Sequence, residues 1–76
     1  MAKLPTDLSD RDVPAALERA GFQFRRQTGS HMILRRDEPH ARAVIPDHKR
    51  VRTGTLRRNI ADAGLSVGQF MDLLGR

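Results

Sequence analysis

The chain has 76 residues, no cysteine, and 14 Lys and Arg against 9 Asp and Glu, which gives a formal net charge of +5. This length permits one domain, and so short a chain buries too little surface to enclose a deep substrate cleft. Without cysteine there is no disulfide, thiolate metal site or thiol nucleophile, and the apolar runs are too short for a transmembrane helix.

The positive charge is unevenly distributed along the chain. Residues 1–21 hold three basic and four acidic residues, whereas residues 22–76 hold eleven and five. Twelve of the fourteen cations are Arg, whose forked guanidinium matches phosphate better than Lys does. This pattern indicates a polyanionic partner or, alternatively, a solvated surface that favours solubility. Three Phe and no Trp or Tyr argue against a platform that stacks single-stranded bases.

The N-terminal segment has no clear periodicity. Residues 1–8 contain Pro5, so we expect a loose N-terminal arm before a single domain over residues 9–76. The segment also lacks the basic, apolar and small-residue regions of a signal peptide, which predicts a cytoplasmic protein.

The first regular element is a predicted helix over residues 9–20. Its apolar residues recur at helical spacing, Ser9 and Asp12 fit a capping box, and a glycine follows as a left-handed stop. Pro14 would then lie beyond the first turn, where it removes a backbone hydrogen bond. Asp10 or Asp12 is therefore the alternative cap.

Three extended segments follow the helix. Alternating polarity predicts strands over residues 22–25, 31–35 and 41–45, separated by turns at 28–30 and 37–40. Such short connections predict an antiparallel meander. Because side chains alternate between faces, we expect that Arg25, Arg26, Arg35 and Arg42 do not all share one face.

Two short helices complete the chain. Thr53 can begin a helix that Gly64 ends, and Ser66 with Gln69 forms a capping box for a last helix. The order α-β-β-β-α(-α) predicts an α+β fold with a three-stranded antiparallel sheet and its helices on one face. The residues expected in the core include Phe22, Phe24, Leu34, Phe70 and Leu74.

Several segments of the chain resemble one known family. They are LERAGF at 17–22, RQTGSH at 26–31, VIPDH at 44–48, GTLRRNI at 54–60 and AGLS at 63–66. In this order and spacing they resemble the HicA toxins, small ribonucleases of bacterial and archaeal toxin–antitoxin pairs, and the similarity extends over the chain from residue 9. Pro14 and the glycine-free turn at residues 37–40 depart from the family pattern.

The resemblance implies both a fold and an activity. The fold would be similar to a double-stranded-RNA-binding domain, and the protein would be the toxin of a type II toxin–antitoxin system, an mRNA interferase. His31 matches the histidine that the family uses for cleavage. The implied partners are mRNA and a HicB-like antitoxin that covers the active site, with no membrane involved.

His31 also stands out from the residues alone. It begins a strand after a glycine-containing turn, so its imidazole should be exposed and able to exchange a proton near neutral pH. RNA cleavage needs such a proton exchange. The alternative is that His31 is an ordinary surface histidine at the end of a strand.

His40 is expected to be an ordinary surface residue. The spacing of the three histidines matches no metal-ligand pattern, so we expect metal-independent acid/base chemistry without a cofactor.

The other candidate site residues are basic or carry hydroxyl groups. The helix that begins at Thr53 offers open backbone N–H groups to a phosphate, or it is an ordinary helix start with solvated arginines. His48 is a second proton-transfer group or phosphate contact, or a loop histidine that bonds a carbonyl. The predicted RNA-binding residues are Arg26, Ser30, His48, Lys49, Arg50, Arg52, Thr53, Arg57 and Arg58.

Two functions therefore stand at the level of sequence. One is an endoribonuclease that uses His31 as general acid/base on single-stranded or locally opened mRNA. The other is a catalytically silent RNA-binding module of the same fold. The Gly-Ser-His turn at residues 29–31 favours the enzyme, because a basic surface binds RNA equally well without it.

Overall fold

The fold consists of three helices and one sheet. The computed structural model describes residues 4–9, 11–47 and 52–75. The elements in chain order are α1 (Asp12–Arg19), β1 (Gln23–Thr28), β2 (His31–Asp37), β3 (His40–Pro46), α2 (Thr53–Asp62) and α3 (Val67–Leu74). The sheet is antiparallel with β2 in the centre, which confirms the predicted α+β class. No helix in the described ranges has the length and apolarity needed to cross a bilayer.

The core lies between one face of the sheet and the helices. Leu34 on β2 is fully buried, as are Ala43 and Ile45 on β3. They form one cluster with apolar residues of all three helices, which include Val13, Ala16, Leu17, Leu56, Ile60 and Phe70. Because strand side chains alternate, the opposite face of the sheet is left to solvent. The predicted placement of the helices on one face is confirmed.

The N-terminal segment belongs to this core. Leu4 is 4% exposed and Leu8 is fully buried, and both join the apolar cluster. The expectation of a loose arm is therefore wrong for residues 4–8. Burying two leucines offsets the entropy of ordering this short stretch, an effect that sequence periodicity does not reveal.

Helix α1 begins later than predicted. Its first residue is Asp12 and its N-cap is Arg11, which makes no side-chain capping bond. Pro14 thus falls within the first turn, where the backbone N–H that it lacks would have no helical partner. The backbone N–H of Ser9 donates to the Asp12 carboxylate at 2.9 Å, so these two residues interact ahead of the helix. Asp12 is the first residue of the helix rather than its cap, and the alternative cap Asp10 lies outside the described residues.

The last helix begins as predicted. The backbone N–H of Gln69 donates to the Ser66 hydroxyl at 3.1 Å, and the Ser66 N–H donates to the Gln69 side-chain oxygen at 2.8 Å. This is a complete capping box.

Strand β1 carries the main irregularity of the sheet. Phe24 pairs with Leu34 and Arg26 pairs with Ile33, so Arg25 is an extra residue, a β-bulge. Phe24 points to the helical side but is 51% exposed, and its predicted place in the core is wrong. It lies on an edge strand, where it lines an open cavity together with residues of α1. Of the other predicted core residues, Phe22, Leu34 and Phe70 are buried, and Leu74 is half-buried.

Arg36 connects the ends of two helices to the central strand. Its Nη1 donates to the carbonyl of Ala20 at 3.2 Å and its Nη2 to that of Ala63 at 3.4 Å. These residues are the C-caps of α1 and α2, where the helix dipole concentrates negative charge. Nε donates to the Pro39 carbonyl at 3.0 Å, and the guanidinium stacks 4.7 Å from the centre of the Phe22 ring. One side chain thus satisfies carbonyls from three segments.

Replacing Arg36 should destabilise the whole fold. Arg36→Met keeps the apolar stem and removes all three hydrogen bonds, so we expect a loss of about 2 kcal/mol. For a domain of this size that loss lowers the melting temperature by roughly 8–16 °C. Arg42→Met, on the exposed face of β3, is the matched control and should change stability by less than about 0.5 kcal/mol. Thermal melts that coincide for the two variants would contradict this role of Arg36.

Candidate functional site

His31 occupies one end of the central strand. It pairs with Thr28 on β1 and with Pro46 on β3, and it is exposed. Alternation along β2 places its side chain on the sheet face that is turned away from the helices, together with Ile33 and Arg35. The predicted exposure of this histidine at a strand start is confirmed, and its catalytic role remains a prediction.

The turn that precedes His31 is tied to the end of β3. The backbone N–H of Asp47 donates to the Ser30 carbonyl at 2.6 Å. The side-chain nitrogen of Gln27 donates to the Asp47 carboxylate at 2.8 Å and to the Gly29 carbonyl at 3.3 Å. These bonds join the turn to two strands, so the backbone that carries the imidazole is held at a fixed position.

The two described histidines lie at opposite ends of the sheet. His40 pairs with Asp37 at the far end of β2, and the six residue-to-residue steps from His31 to Asp37 span about 20 Å of strand. No three His, Asp or Glu side chains within residues 4–9, 11–47 and 52–75 come together as a metal site would require. The expected absence of a metal or cofactor stays a prediction.

Four arginines converge on the same face as His31. Arg25, Arg26, Arg35 and Arg42 line one open cavity of about 440 Å³ together with Ile33 and His40. We call this surface the arginine basin. The expectation that the four arginines do not share a face is wrong, because the bulge at Arg25 interrupts alternation and directs two consecutive arginines to the same side. In the sequence, the signal for this bulge is the pair of adjacent arginines in a strand whose polarity otherwise alternates.

The predicted RNA-binding residues fall into separate groups. Arg26 and Ser30 lie near His31, at the same end of the sheet. Arg52, Thr53, Arg57 and Arg58 belong to the start and first turns of α2, which packs on the opposite face of the sheet through buried Leu56 and Ile60. The structure does not bring this helical group onto the face of His31. His48, Lys49 and Arg50 lie outside the described residues.

Sequence reasoning missed a second cavity on the helical side. Exposed Phe24 and half-buried Met32 line a space of about 440 Å³ with Pro14, Ala15 and Glu18 of α1. Arg11, Gln27 and Asp47 complete the lining. The cavity arises because α1 and the bulged edge strand do not close over Phe24.

The family described as HicA toxin of bacterial toxin-antitoxin matches residues 11–65 of this chain. The matched range includes α1, the whole sheet with His31, and α2, and it ends before α3. No curated individual protein is significantly similar to the chain.

The hydrogen bond between Gln27 and Asp47 should limit local unfolding of the turn that precedes His31. Gln27→Ala removes two exposed hydrogen bonds, to Asp47 and to Gly29. Together they contribute about 1 kcal/mol, so exchange of the Asp47 amide hydrogen should rise about fivefold. The melting temperature should change by less than about 8 °C, because the two hydrogen bonds that are lost are exposed. Gln23→Ala, at the other end of the same strand, is the control. Equal Asp47 exchange in the two variants would show that Gln27 does not anchor the turn.

Proposed function

Because the chain belongs to the HicA toxin family of toxin–antitoxin systems, we propose that it is an mRNA endoribonuclease with His31 as its catalytic residue. The observation that carries the proposal is the position of this imidazole. It is exposed at the end of the central strand, on an anchored turn, and shares its face with four arginines. Such a surface offers a proton-transfer group beside cations that bind phosphate.

The proposed reaction needs two proton transfers and one attack on phosphorus. His31 accepts the proton of a ribose 2′-OH or a water, and that oxygen forms a new bond to phosphorus. The bond to the 5′-oxygen breaks, and the leaving oxygen takes a proton from water. No metal ion is needed in this scheme. Each cleavage leaves the enzyme in its starting protonation state once the imidazole exchanges its proton with solvent.

Arg26 is placed to stabilise charge at the cleaved phosphate. It pairs with Ile33, two residues from His31 on the same face, so it is a diagonal cross-strand neighbour at about 7–8 Å. A long arginine spans that separation and directs a guanidinium at the oxygens of the reacting phosphate. We propose Arg26 as the residue that stabilises the negative charge formed there.

The substrate in this proposal is single-stranded or locally opened mRNA in the cytoplasm. An exposed sheet face accepts a strand lying across it, whereas an enclosed cleft would be needed to hold a small substrate. The helical group of Arg52, Thr53, Arg57 and Arg58 is proposed to contact further RNA backbone. Its support is the N-terminus of α2, which has no side-chain cap and therefore keeps N–H groups available to a phosphate.

Membership in this family implies a cognate antitoxin. We propose that a HicB-like antitoxin inhibits the enzyme by covering His31 and the neighbouring cations. All described helices lie on the other side of the sheet, so none can close over this face. An acidic partner complements the basic surface, which speeds its encounter with the toxin and makes the rate salt-sensitive.

A catalytically silent RNA-binding module is the alternative. The arginine basin supports this alternative, because its four guanidiniums bind a polyanion whether or not His31 is catalytic. Cleavage of RNA by the wild-type protein separates the two functions.

His31→Ala should abolish cleavage while leaving the fold intact. Loss of a general acid/base costs about 10²–10⁴-fold in rate, and an exposed strand-end side chain contributes little to stability. His40→Ala is the matched control, since it removes an exposed histidine from the opposite end of the same sheet. Because His40 lines the arginine basin, the two variants are compared at saturating RNA, where His40→Ala should keep the wild-type cleavage rate. A folded His31→Ala protein that cleaves RNA at the wild-type rate would disprove the assignment.

Antitoxin binding should protect His31 from chemical modification. Diethyl pyrocarbonate treatment followed by peptide mapping reports the reactivity of each histidine, and we expect His31 to become unreactive at the stoichiometry that stops RNA cleavage. The denatured complex serves as the control for full reactivity. Should His31 remain fully reactive in the inhibited complex, inhibition would act at a distance rather than by covering the site.

A further inference from the structure

We infer that the arginine basin is a track for the RNA backbone, which binds phosphates flanking the cleaved bond without reading the bases. This inference rests on the proposed function and deepens it by assigning the surface that holds the substrate. It extends the site from His31 to Arg25, Arg35 and Arg42, which the sequence motifs do not single out.

The charge of the basin is strongly positive. Arg25, Arg26 and Arg42 are exposed, and none of the described residues that line the basin is acidic. Asp37 adjoins it and lies 3.2 Å from Arg35 Nε, with side-chain exposures of 76% and 41%. Exposed ion pairs are weak, so a phosphate can compete with this carboxylate for the guanidinium. An anion that enters the basin therefore meets several guanidiniums that have no ion pair with a described carboxylate.

The bulge in β1 builds this concentration of charge. In a regular strand two consecutive arginines point to opposite faces, so only one of Arg25 and Arg26 would lie on the open face. The register shift between Phe24 and Arg26 instead leaves Arg25 lining the same cavity as Arg26 and Arg42. The sheet interrupts its ladder of hydrogen bonds at this point, and bulges of this kind commonly direct side chains toward functional sites.

The basin continues directly from the proposed catalytic residue. His31, Ile33 and Arg35 alternate along β2 on one face, so Ile33 lies about 7 Å from His31 and Arg35 about 13 Å. Arg26 and Arg42 flank this line, since they pair with Ile33 and Arg35 on the neighbouring strands. A polymer seated at His31 and running along β2 therefore passes between cations on both sides.

The chemistry of the basin favours RNA backbone over bases and over a protein. The three phenylalanines lie elsewhere, Phe22 and Phe70 in the core and Phe24 on the helical side, so no ring is available for stacking. Protein interfaces obtain most of their energy from buried aromatic and aliphatic anchors, and among the described residues lining this cavity Ile33 alone is apolar. Guanidiniums instead form paired hydrogen bonds with phosphate oxygens.

The test is the salt dependence of RNA binding in a protein that cannot cleave. All variants carry His31→Ala, and the basin pair Arg25→Gln with Arg42→Gln is compared with the control pair Arg11→Gln with Arg19→Gln on α1. Both pairs remove two positive charges from exposed positions. Affinities for labelled oligo(U) and oligo(A) are measured over a series of salt concentrations, and thermal melts confirm that each variant is folded.

We expect the basin pair to lower the slope of log affinity against log salt by about 1.4, since each phosphate contact contributes about 0.7. The effect should be equal for oligo(U) and oligo(A), and the control pair should change the slope much less. Arg42→Lys alone, which keeps the charge, should retain most of the slope.

Four outcomes would overturn the inference. They are an unchanged salt slope in the basin pair, equal changes of the slope in both pairs, and a loss of affinity confined to one oligonucleotide. The fourth, seen when antitoxin binding to the same variants is measured, is weakened antitoxin binding with normal RNA binding. The last would make the basin a protein-docking surface. Failure of the proposed function looks different: a wild-type protein that binds RNA through the basin but never cleaves it would refute the nuclease and leave the track standing.

Discussion

The guanidinium of Arg36 fixes the helices to one side of the central strand, and the rest of the structure follows from that arrangement. It donates hydrogen bonds to the C-terminal carbonyls of α1 and α2 and stacks on Phe22. Gly21 and Gly64, both with positive φ, let the chain turn away just after these carbonyls. Since neighbouring residues on a strand point to opposite faces, β2 directs Arg36 and Leu34 into the structure and leaves His31 on the open face. The two faces of β2 therefore have different roles: the side chains on one face stabilise the fold, and the other face carries the proposed catalytic residue.

That separation leaves the active face of the proposed enzyme without a cover among the described elements, which supports our proposal that a partner controls it. An active surface on an uncovered sheet admits a long RNA strand, but no described element overlies it to close it. The arginines of the basin make the surface attractive to any polyanion. Competition between RNA and an acidic antitoxin for one face is then the simplest form of regulation, and the family to which the chain belongs is one of toxin–antitoxin pairs.

Features fixed by local interactions could be predicted from the sequence. The Ser66 capping box, the short strand connections and the exposure of His31 depend on residues close in the chain, and all are present. Features that depend on distant contacts could not. The burial of Leu4 and Leu8 requires a surface built by other elements. The bulge at Arg25 is set by pairing with β2, and it decides which arginines share the face of His31.

The most direct test of the central claim is incubation of the purified wild-type protein with a long mRNA in the presence of EDTA. Gel analysis of the RNA measures cleavage, and His31→Ala protein purified in parallel controls for contaminating nuclease. If the exposed imidazole performs acid/base chemistry without a metal ion, the RNA is cut into discrete fragments by the wild type and stays intact with the variant. RNA that remains intact with folded, antitoxin-free wild-type protein would contradict the account and favour an RNA-binding module.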